Sequence, residues 1–314
     1  MKRGNSRLEI NQNIINLCNM NIRSKKNLYL RYLINSISPK LQLKLLFRLY
    51  HHRNLNLQNP QTLDEKIQWM KLYYYKDNEL VKRCADKFHV RSYIQECGIG
   101  HILNDIIATY DDPTEIEWDT LPKQFVLKWN FGCGGNYVCF DKDTTDKEKV
   151  VRELTTFRAI KFHKIAAEPQ YDVKKILLCE KMIKTEDGHL PVDYKFYCFN
   201  GEAKYVLCCH GRSDEHKPSF YFFDKNWQLK RFNRMGKEAP EGFSIPKPEG
   251  MDDLFKYAEI LSNPFPFVRA DFYLENGKAY FGELTFTPGG GFDTGRLPES
   301  DLYFGSLVKL PTKK

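Results

Sequence analysis

The 314-residue chain lacks the patterns that would place it quickly. It has nine cysteines but no CxxC pair. The number is odd and Cys208 and Cys209 are adjacent, which argues against a disulfide framework and for a reducing compartment. No apolar run approaches the roughly 20 residues needed to span a bilayer. No secretory signal is visible, so the cytoplasm is the expected location. His163, His189, His210 and His216 stand at no metal-ligand spacing, and neither H-E-x-x-H nor G-x-S-x-G occurs. A Walker A loop and a G-x-G-x-x-G dinucleotide turn are both missing. No internal repeat is present.

Acidic residues are scarce at the start. Residues 1–60 hold eleven Lys/Arg and one acid, Glu9, so the net charge of +8 is an N-terminal property. The remainder is close to neutral, which excludes a nucleic-acid groove running through the whole protein. Residues 1–26 read as a loosely ordered arm or weak helix. Residues 28–50 carry Leu30, Leu33, Ile34, Ile37, Leu41, Leu43, Leu45, Leu46 and Leu49 at helical spacing, interrupted at Pro39. Lys40, Lys44 and Arg48 recur every four residues as one basic stripe. Such a helix packs on the main body with a solvated basic face, or meets an anionic membrane surface or polyanionic glycan.

Further along, Thr62-Leu63-Asp64-Glu65 is a capping box, and core packing accounts for the aromatic-rich helix after it. A helix is expected from near Ala85, with Lys87 and Arg91 on one face and Gly98 at its end. Phe125 to Asn130 is an apolar strand interrupted by Lys128. It leads through Phe131-Gly132-Cys133-Gly134-Gly135-Asn136 into a second strand, Tyr137 to Phe140. The pair is either a plain tight hairpin or a flap whose backbone amides cover phosphates. Lys175 to Ile183 is a buried-type strand ending at Glu186-Asp187-Gly188. Pro191 to Phe199 and Ala203 to Cys209 form a hairpin around Asn200-Gly201 that places Asp193 and Lys195 on one face. Residues 211–219 are a polar loop, Tyr221 to Phe223 and Leu229 to Phe232 a strand pair, 233–250 a long loop, and Asp252 to Ser262 a helix.

The chemistry concentrates in Phe267 to Tyr273, Asn276-Gly277 and Ala279 to Phe286. This is a strand, a tight turn and a strand. Alternation puts Arg269 and Asp271 on one face of the first strand, and Glu283 and Thr285 on one face of the second. Two carboxylates crowded on a sheet call for a cation, and Mg²⁺ prefers few carboxylates plus substrate phosphates. Arg269 would supply fixed positive charge for a transferring phosphoryl group. An exposed Arg–Asp pair is the plainer alternative. Pro288-Gly289-Gly290-Gly291 allows close backbone approach to a ligand.

In order and spacing these pieces resemble the ATP-grasp superfamily, and more narrowly the TupA-like ATP-grasp family of bacterial surface-polysaccharide and teichuronopeptide gene clusters. The resemblance runs from about Asn59-Pro60 to Gly305. It rests on Ala85-Asp86-Lys87, Phe125 to Lys128 with the glycine loop, Cys179-Glu180-Lys181, Asp193 to Phe196, Arg269 to Phe272, and Gly282 to Thr285 with Pro288 to Gly291. It implies an α+β fold in which two α+β subdomains clasp a nucleotide, with a basic helical N-terminal extension. The expected divisions are 1–58, 59–120, 121–182 (flap-bearing) and 183–314 (metal-bearing). It implies ATP and Mg²⁺. Lys87, Lys128, Gly132, Gly134 and Gly135 would meet the phosphates. Glu180 and Met182 would lie on the adenine hinge, and Asp193 at the ribose–phosphate end. Asp271, Glu283 and Thr285 would hold the metal, with Arg269 and Lys195 catalytic. The family usually carries Asn where Thr285 stands, and His and Ser at Phe131 and Cys133.

The implied reaction is ATP-dependent joining of a carboxylate to an amine through an acyl phosphate. An amino acid or amine would be added to a uronic-acid carboxylate of a surface glycan, at or near the inner membrane face. The competing enzyme class is a nucleotide-sugar glycosyltransferase, which commonly carries a D-x-D; the adjacent pairs Asp111-Asp112 and Asp252-Asp253 do not fit it. A nucleotide-binding module without turnover is the third possibility.

Overall fold

The computed structural model describes residues 25–185, 188, 190–210 and 218–312. The expected N-terminal arm up to residue 24, the turn residues Glu186 and Asp187, His189, and most of the 211–219 loop with His216 lie outside them.

Two helices open the described chain, α1 (Lys25–Ile37) and α2 (Pro39–His51). Ser38 separates them. Its hydroxyl accepts from Leu41 N–H, and Pro39 occupies the first helical turn, where its missing N–H costs nothing. The pair is antiparallel: the Asn35 amide donates to Gln42 at 2.6 Å and Arg31 to the Tyr50 hydroxyl at 3.2 Å. α3 (Leu63–Met70) starts at the expected capping box and runs into a π-turn, Lys71–Tyr75.

The helix expected from near Ala85 begins only at Val90, so Lys87 lies in the turn before it and not on a helix face with Arg91. α4 (Glu79–Ala85) ends at Ala85, and α5 (Val90–Glu96) follows the turn at Asp86–His89. The Asp86 carboxylate accepts from the Phe88 and His89 amides, so a side chain that competes for backbone donors breaks the helix at that point.

Four strands make the first sheet: β1 (Ile106–Tyr110), β2 (Phe125–Trp129), β3 (Tyr137–Cys139) and β4 (Leu177–Lys181), in the order β1-β4-β2-β3, all antiparallel. Between β3 and β4 lie α6 (Lys147–Arg158) and the single turn α7 (Phe162–Ile165), onto which α1 and α2 dock. The Gln42 amide reaches Ile165 O at 2.9 Å.

Six strands make the second sheet, also antiparallel, in the order β10-β9-β5-β6-β7-β8. They are β5 (Asp193–Phe199), β6 (Glu202–His210), β7 (Ser219–Asp224), β8 (Leu229–Lys230), β9 (Phe267–Glu275) and β10 (Lys278–Thr285). The expected long loop after β8 contains a short helix, α8 (Arg234–Glu238). α9 (Met251–Ser262) precedes β9, and α10 (Pro298–Leu307) closes the chain. Asn276 and Gly277 both have positive φ, as a type I′ hairpin turn requires.

Alternation assigns the two faces of this sheet. Phe196 and Phe272 meet each other, and Phe196 meets Phe255 of α9. Tyr197 and Phe199 point the other way, onto Phe304 of α10. Lys195, Arg269 and Asp271 belong to that second face. Among the described residues seven cysteines are free and mostly buried, while Cys133 is disulfide-bonded, a single bond and not the framework that the sequence argues against.

Candidate active site

Three strands write the site as two rows. Lys195, Asp271 and Glu283 are register partners across β5, β9 and β10. Two residues further along, Tyr197, Arg269 and Thr285 form the next row. The rows exist because β10 is bulged between Phe281 and Glu283. Phe281 pairs with Phe272 on the α9 face, so without the extra residue Glu283 would share that face and point into the core. The bulge at Gly282 re-aims Glu283 beside Asp271. A Cβ on Gly282 would lie 2.9 Å from Asp271 O, so only glycine fits there. The Gly-Glu dipeptide is visible in the sequence, but a bulge is a relation between strands, and sequence reading missed it.

The side chains are joined by short contacts. Arg269 grips Asp271 with two N–H groups, at 2.7 and 2.6 Å, and donates to Thr285 Oγ1 at 3.1 Å. Its Nη2 lies 3.6 Å from Glu283. Thr285 Oγ1 donates to Glu283 at 2.8 Å. Lys195 bridges Asp271, at 2.9 Å, and Asp193. Lys87 reaches Glu283 at 3.3 Å and Gly132 O at 2.8 Å. It is carried by the Asp86–His89 turn, whose Lys87 N–H and Asp86 carboxylate both bind Asn130 at the end of β2. Three cations thus face three carboxylates.

Their environments differ. Asp271 is 3 % exposed; burial pushes its carboxyl up, against the pull of Arg269 and Lys195. Glu283 retains about a third of its side-chain exposure. Burial would raise it too, but Lys87, Arg269 and Lys195 prevail and hold it down at about 2. Two carboxylates and a hydroxyl facing one space are an all-oxygen donor set, which suits Mg²⁺ rather than a soft metal. Glu283 is the more accessible of the two carboxylates, whereas both oxygens of Asp271 are bound by Arg269 and one of them also by Lys195.

The remaining expected residues lie on β2, on the loop after it, and on and just after β4. Lys128 binds Glu180 at 2.8 Å across β2 and β4, and Asn104 is 3.5 Å from the same carboxylate. Met182 is half-buried just past β4. Gly132, Gly134 and Gly135 all have positive φ. The loop they belong to is anchored: Phe131 is buried against Trp129 and Phe157, and the Cα faces of Gly132 and Gly135 lie against Phe162 and Phe157. Those glycines are therefore needed for packing as well as for amide display.

Sequence reading also missed a polar underside to the Pro288–Gly291 turn. Gln68 donates to Gly291 O at 2.6 Å and Lys71 to Gly290 O at 2.7 Å, and Tyr75 holds Phe286 O at 3.0 Å. Lys71 is fully buried, with Glu168 at 3.8 Å. The segment ascribed to core packing is a cradle for this loop. One D-x-D, Asp141-Lys142-Asp143, also escaped the reading. Asp141 accepts from the Asp143 amide at 3.1 Å and so caps a turn.

Two antiparallel sheets, one carrying Arg269-x-Asp271 and Glu283-x-Thr285 on adjacent strands, agree with the ATP-grasp fold that the family match establishes. A family model, TupA-like ATPgrasp, matches residues 65–309, and the chain belongs to that family. No curated protein sequence matches it. Among solved structures, D-alanine–D-alanine ligase from Bacillus anthracis complexed with ATP aligns at 17 % identity and a TM-score of 0.43, over 72 % of this chain and 62 % of that one. L-amino acid ligase from Bacillus licheniformis aligns at 12 % identity and a TM-score of 0.45, over 80 % and 56 %. The chain thus spans less than two thirds of the length of these two ligases.

Proposed function

We propose that the protein is an ATP-dependent carboxylate–amine ligase. Family membership supports the class. The observation that carries the reading is the pair of cross-strand rows, which gathers Lys195, Arg269, Asp271, Glu283 and Thr285 at one place, with Lys87 reaching Glu283 from the Asp86–His89 turn.

In this reading a substrate carboxylate oxygen takes the γ-phosphoryl group of ATP, giving an acyl phosphate and ADP. An amine then attacks the acyl carbon, releasing phosphate and a proton and leaving an amide. Asp271, Glu283 and Thr285 would hold Mg²⁺, which on binding neutralises phosphate charge. Arg269 and Lys195 stabilise the transferring phosphoryl group, and Lys87 and Lys128 orient the phosphates. Gly132, Gly134 and Gly135 offer backbone amides to the phosphates. Glu180 and Met182 line the adenine hinge, and Asp193 the ribose end. The protein does little covalent work; it positions groups and balances charge.

The substrate we favour is a uronic-acid or amino-acid carboxylate of a bacterial surface glycan, or its nucleotide- or lipid-linked precursor, with an amino acid or other amine as acceptor, in the cytoplasm. The test is ADP release from ATP and Mg²⁺ across a panel of uronic acids, amino acids and amines, with mass spectrometry of the product. A carboxylate- and amine-dependent gain, with loss of one water in the product, is expected. Sugar transfer from a UDP-sugar with no ADP formed would overturn the reading.

A further inference from the structure

The amphipathic pattern of the first helices leaves a feature that the ligase reading does not use. Leu41, Leu45 and Leu49 recur every four residues along α2 and are 44, 49 and 63 % exposed. Lys40, Lys44 and Arg48 recur at the same spacing one residue earlier, so a basic stripe runs beside the leucine stripe. On α1, Tyr29, Leu30, Leu33 and Ile37 are also exposed, Ile37 by 80 %. Burying Leu43, Leu46 and Phe47 already secures α2 to the body, so these residues are surplus to its packing. From α7, Lys161 and Lys164 lie over the Tyr32 ring at 5.4 and 5.3 Å. Among the described residues, none of Lys40, Lys44, Arg48, Lys161 and Lys164 has a carboxylate partner. No Asp or Glu occurs from Lys25 to Thr62.

We infer that the α1–α2 hairpin is a docking surface for an anionic lipid bilayer, with its leucines entering the headgroup boundary and its cations on lipid phosphates. Cations without carboxylate partners beside exposed leucines at helical spacing, Arg48 donating only to the neutral Asn54 side chain, are the chemistry of an interfacial helix. A second copy of the chain would bring like charge against like charge. Residues 1–24, with Lys2, Arg3, Arg7 and Arg23 against Glu9 alone, supply no net negative charge for these cations. The buried side of α2 also matters. Tyr50 and Phe47 contact Phe292, with ring centroids 5.2 and 6.4 Å away, directly after the Pro288–Gly291 turn. Docking would therefore hold that turn about one helix diameter from the headgroups, roughly 10 Å. The surface does not depend on the ligase reading, and its test uses no nucleotide, so either can fail alone.

The experiment is co-sedimentation of the full chain with vesicles of phosphatidylcholine, alone or with 30 mol % phosphatidylglycerol as a working composition. Binding to the anionic vesicles only is expected, weakening as salt rises. K40Q/K44Q/R48Q should bind about a hundredfold more weakly, from a roughly fivefold loss for each cation removed. L41S/L45S/L49S should lose at least tenfold at unchanged charge. All six side chains are exposed or solvent-facing, so both variants should keep the parent circular dichroism and melting temperature. No binding to anionic vesicles would overturn the proposal. So would full binding by the leucine variant, which would mark a site for soluble polyanions. A concentration-dependent dimer abolished by the leucine substitutions, with no vesicle binding, would assign the face to a second copy instead.

Discussion

Asp271 and Glu283 stand opposite each other, yet their removal should have different consequences. Glu283→Gln deletes one charge from a side chain about a third exposed. The amide oxygen can still accept from Thr285, and the lost partner, Lys87, keeps Gly132 O. Arg269 and Lys195 also act on this carboxylate, so the loss exceeds that of a single exposed pair, but solvent screening at its open side limits it to about 1–2 kcal/mol. Asp271→Asn acts on a buried carboxylate that binds Arg269 twice and Lys195 once. Breaking a buried ion pair from one side costs about 3–5 kcal/mol, because the partner charge stays behind. Asp193 and Glu283 remain to offset Lys195 and Arg269, so we expect the lower end, about 3 kcal/mol. Both variants should lose 10²–10³-fold in ATP turnover, about 3–4 kcal/mol of barrier, if each removes a charge contact to the reacting phosphates. Urea unfolding and coupled ADP release on the same preparations separate the two effects. Glu283→Gln should be inactive and only mildly destabilised, Asp271→Asn inactive and more strongly destabilised. Normal turnover by Glu283→Gln would end the metal assignment. Equal stability losses would show that the charge balance drawn here is wrong.

Two further expectations concern buried charge away from the phosphates. Burial pulls the Lys71 ammonium below its usual range and pushes the Glu168 carboxyl up, yet Lys71 is tied to Gly290 O. Lys71→Met should cost about 3–5 kcal/mol in urea unfolding, and adding Glu168→Gln should restore part of it, a non-additivity that two unlinked sites would not show. Asp301, buried beside Asp64 and only partly relieved by Arg296, is pushed up to about 6. The folded state then holds this proton more tightly than the unfolded chain. Stability from this group is present below about pH 4 and lost as pH rises through 6, by about 3 kcal/mol. Asp301→Asn should flatten that slope in unfolding measured at pH 4.5, 5.5 and 7; an unchanged slope would refute it.

How far the sequence reaches depends on whether a relation lies within one strand or between several. Arg269-x-Asp271 and Glu283-x-Thr285 are spacings of two, and a strand puts such residues on one face whatever surrounds it. The turns were equally local: Asn276-Gly277 and Asn200-Gly201 announce themselves because few residues take positive φ twice running. The Gly282 bulge was not legible, since an extra residue is extra only relative to a partner strand. Nor was the alignment of β5 beside β9, which makes Lys195 and Asp271 neighbours although 76 positions apart. Gln68 and Lys71 show the complementary failure. On a helix they look like ordinary polar positions, and only the distant Gly290 and Gly291 carbonyls turn them into buried donors. The same argument explains why the helix boundary at Ala85 was misplaced. Asp86 stops a helix because its oxygens are recruited to the Phe88 and His89 amides and to Asn130, and the last of these lies on another element. The strand-borne halves of the site are thus written in the chain as separate couplets, and the bulge and the three-strand register make them one constellation.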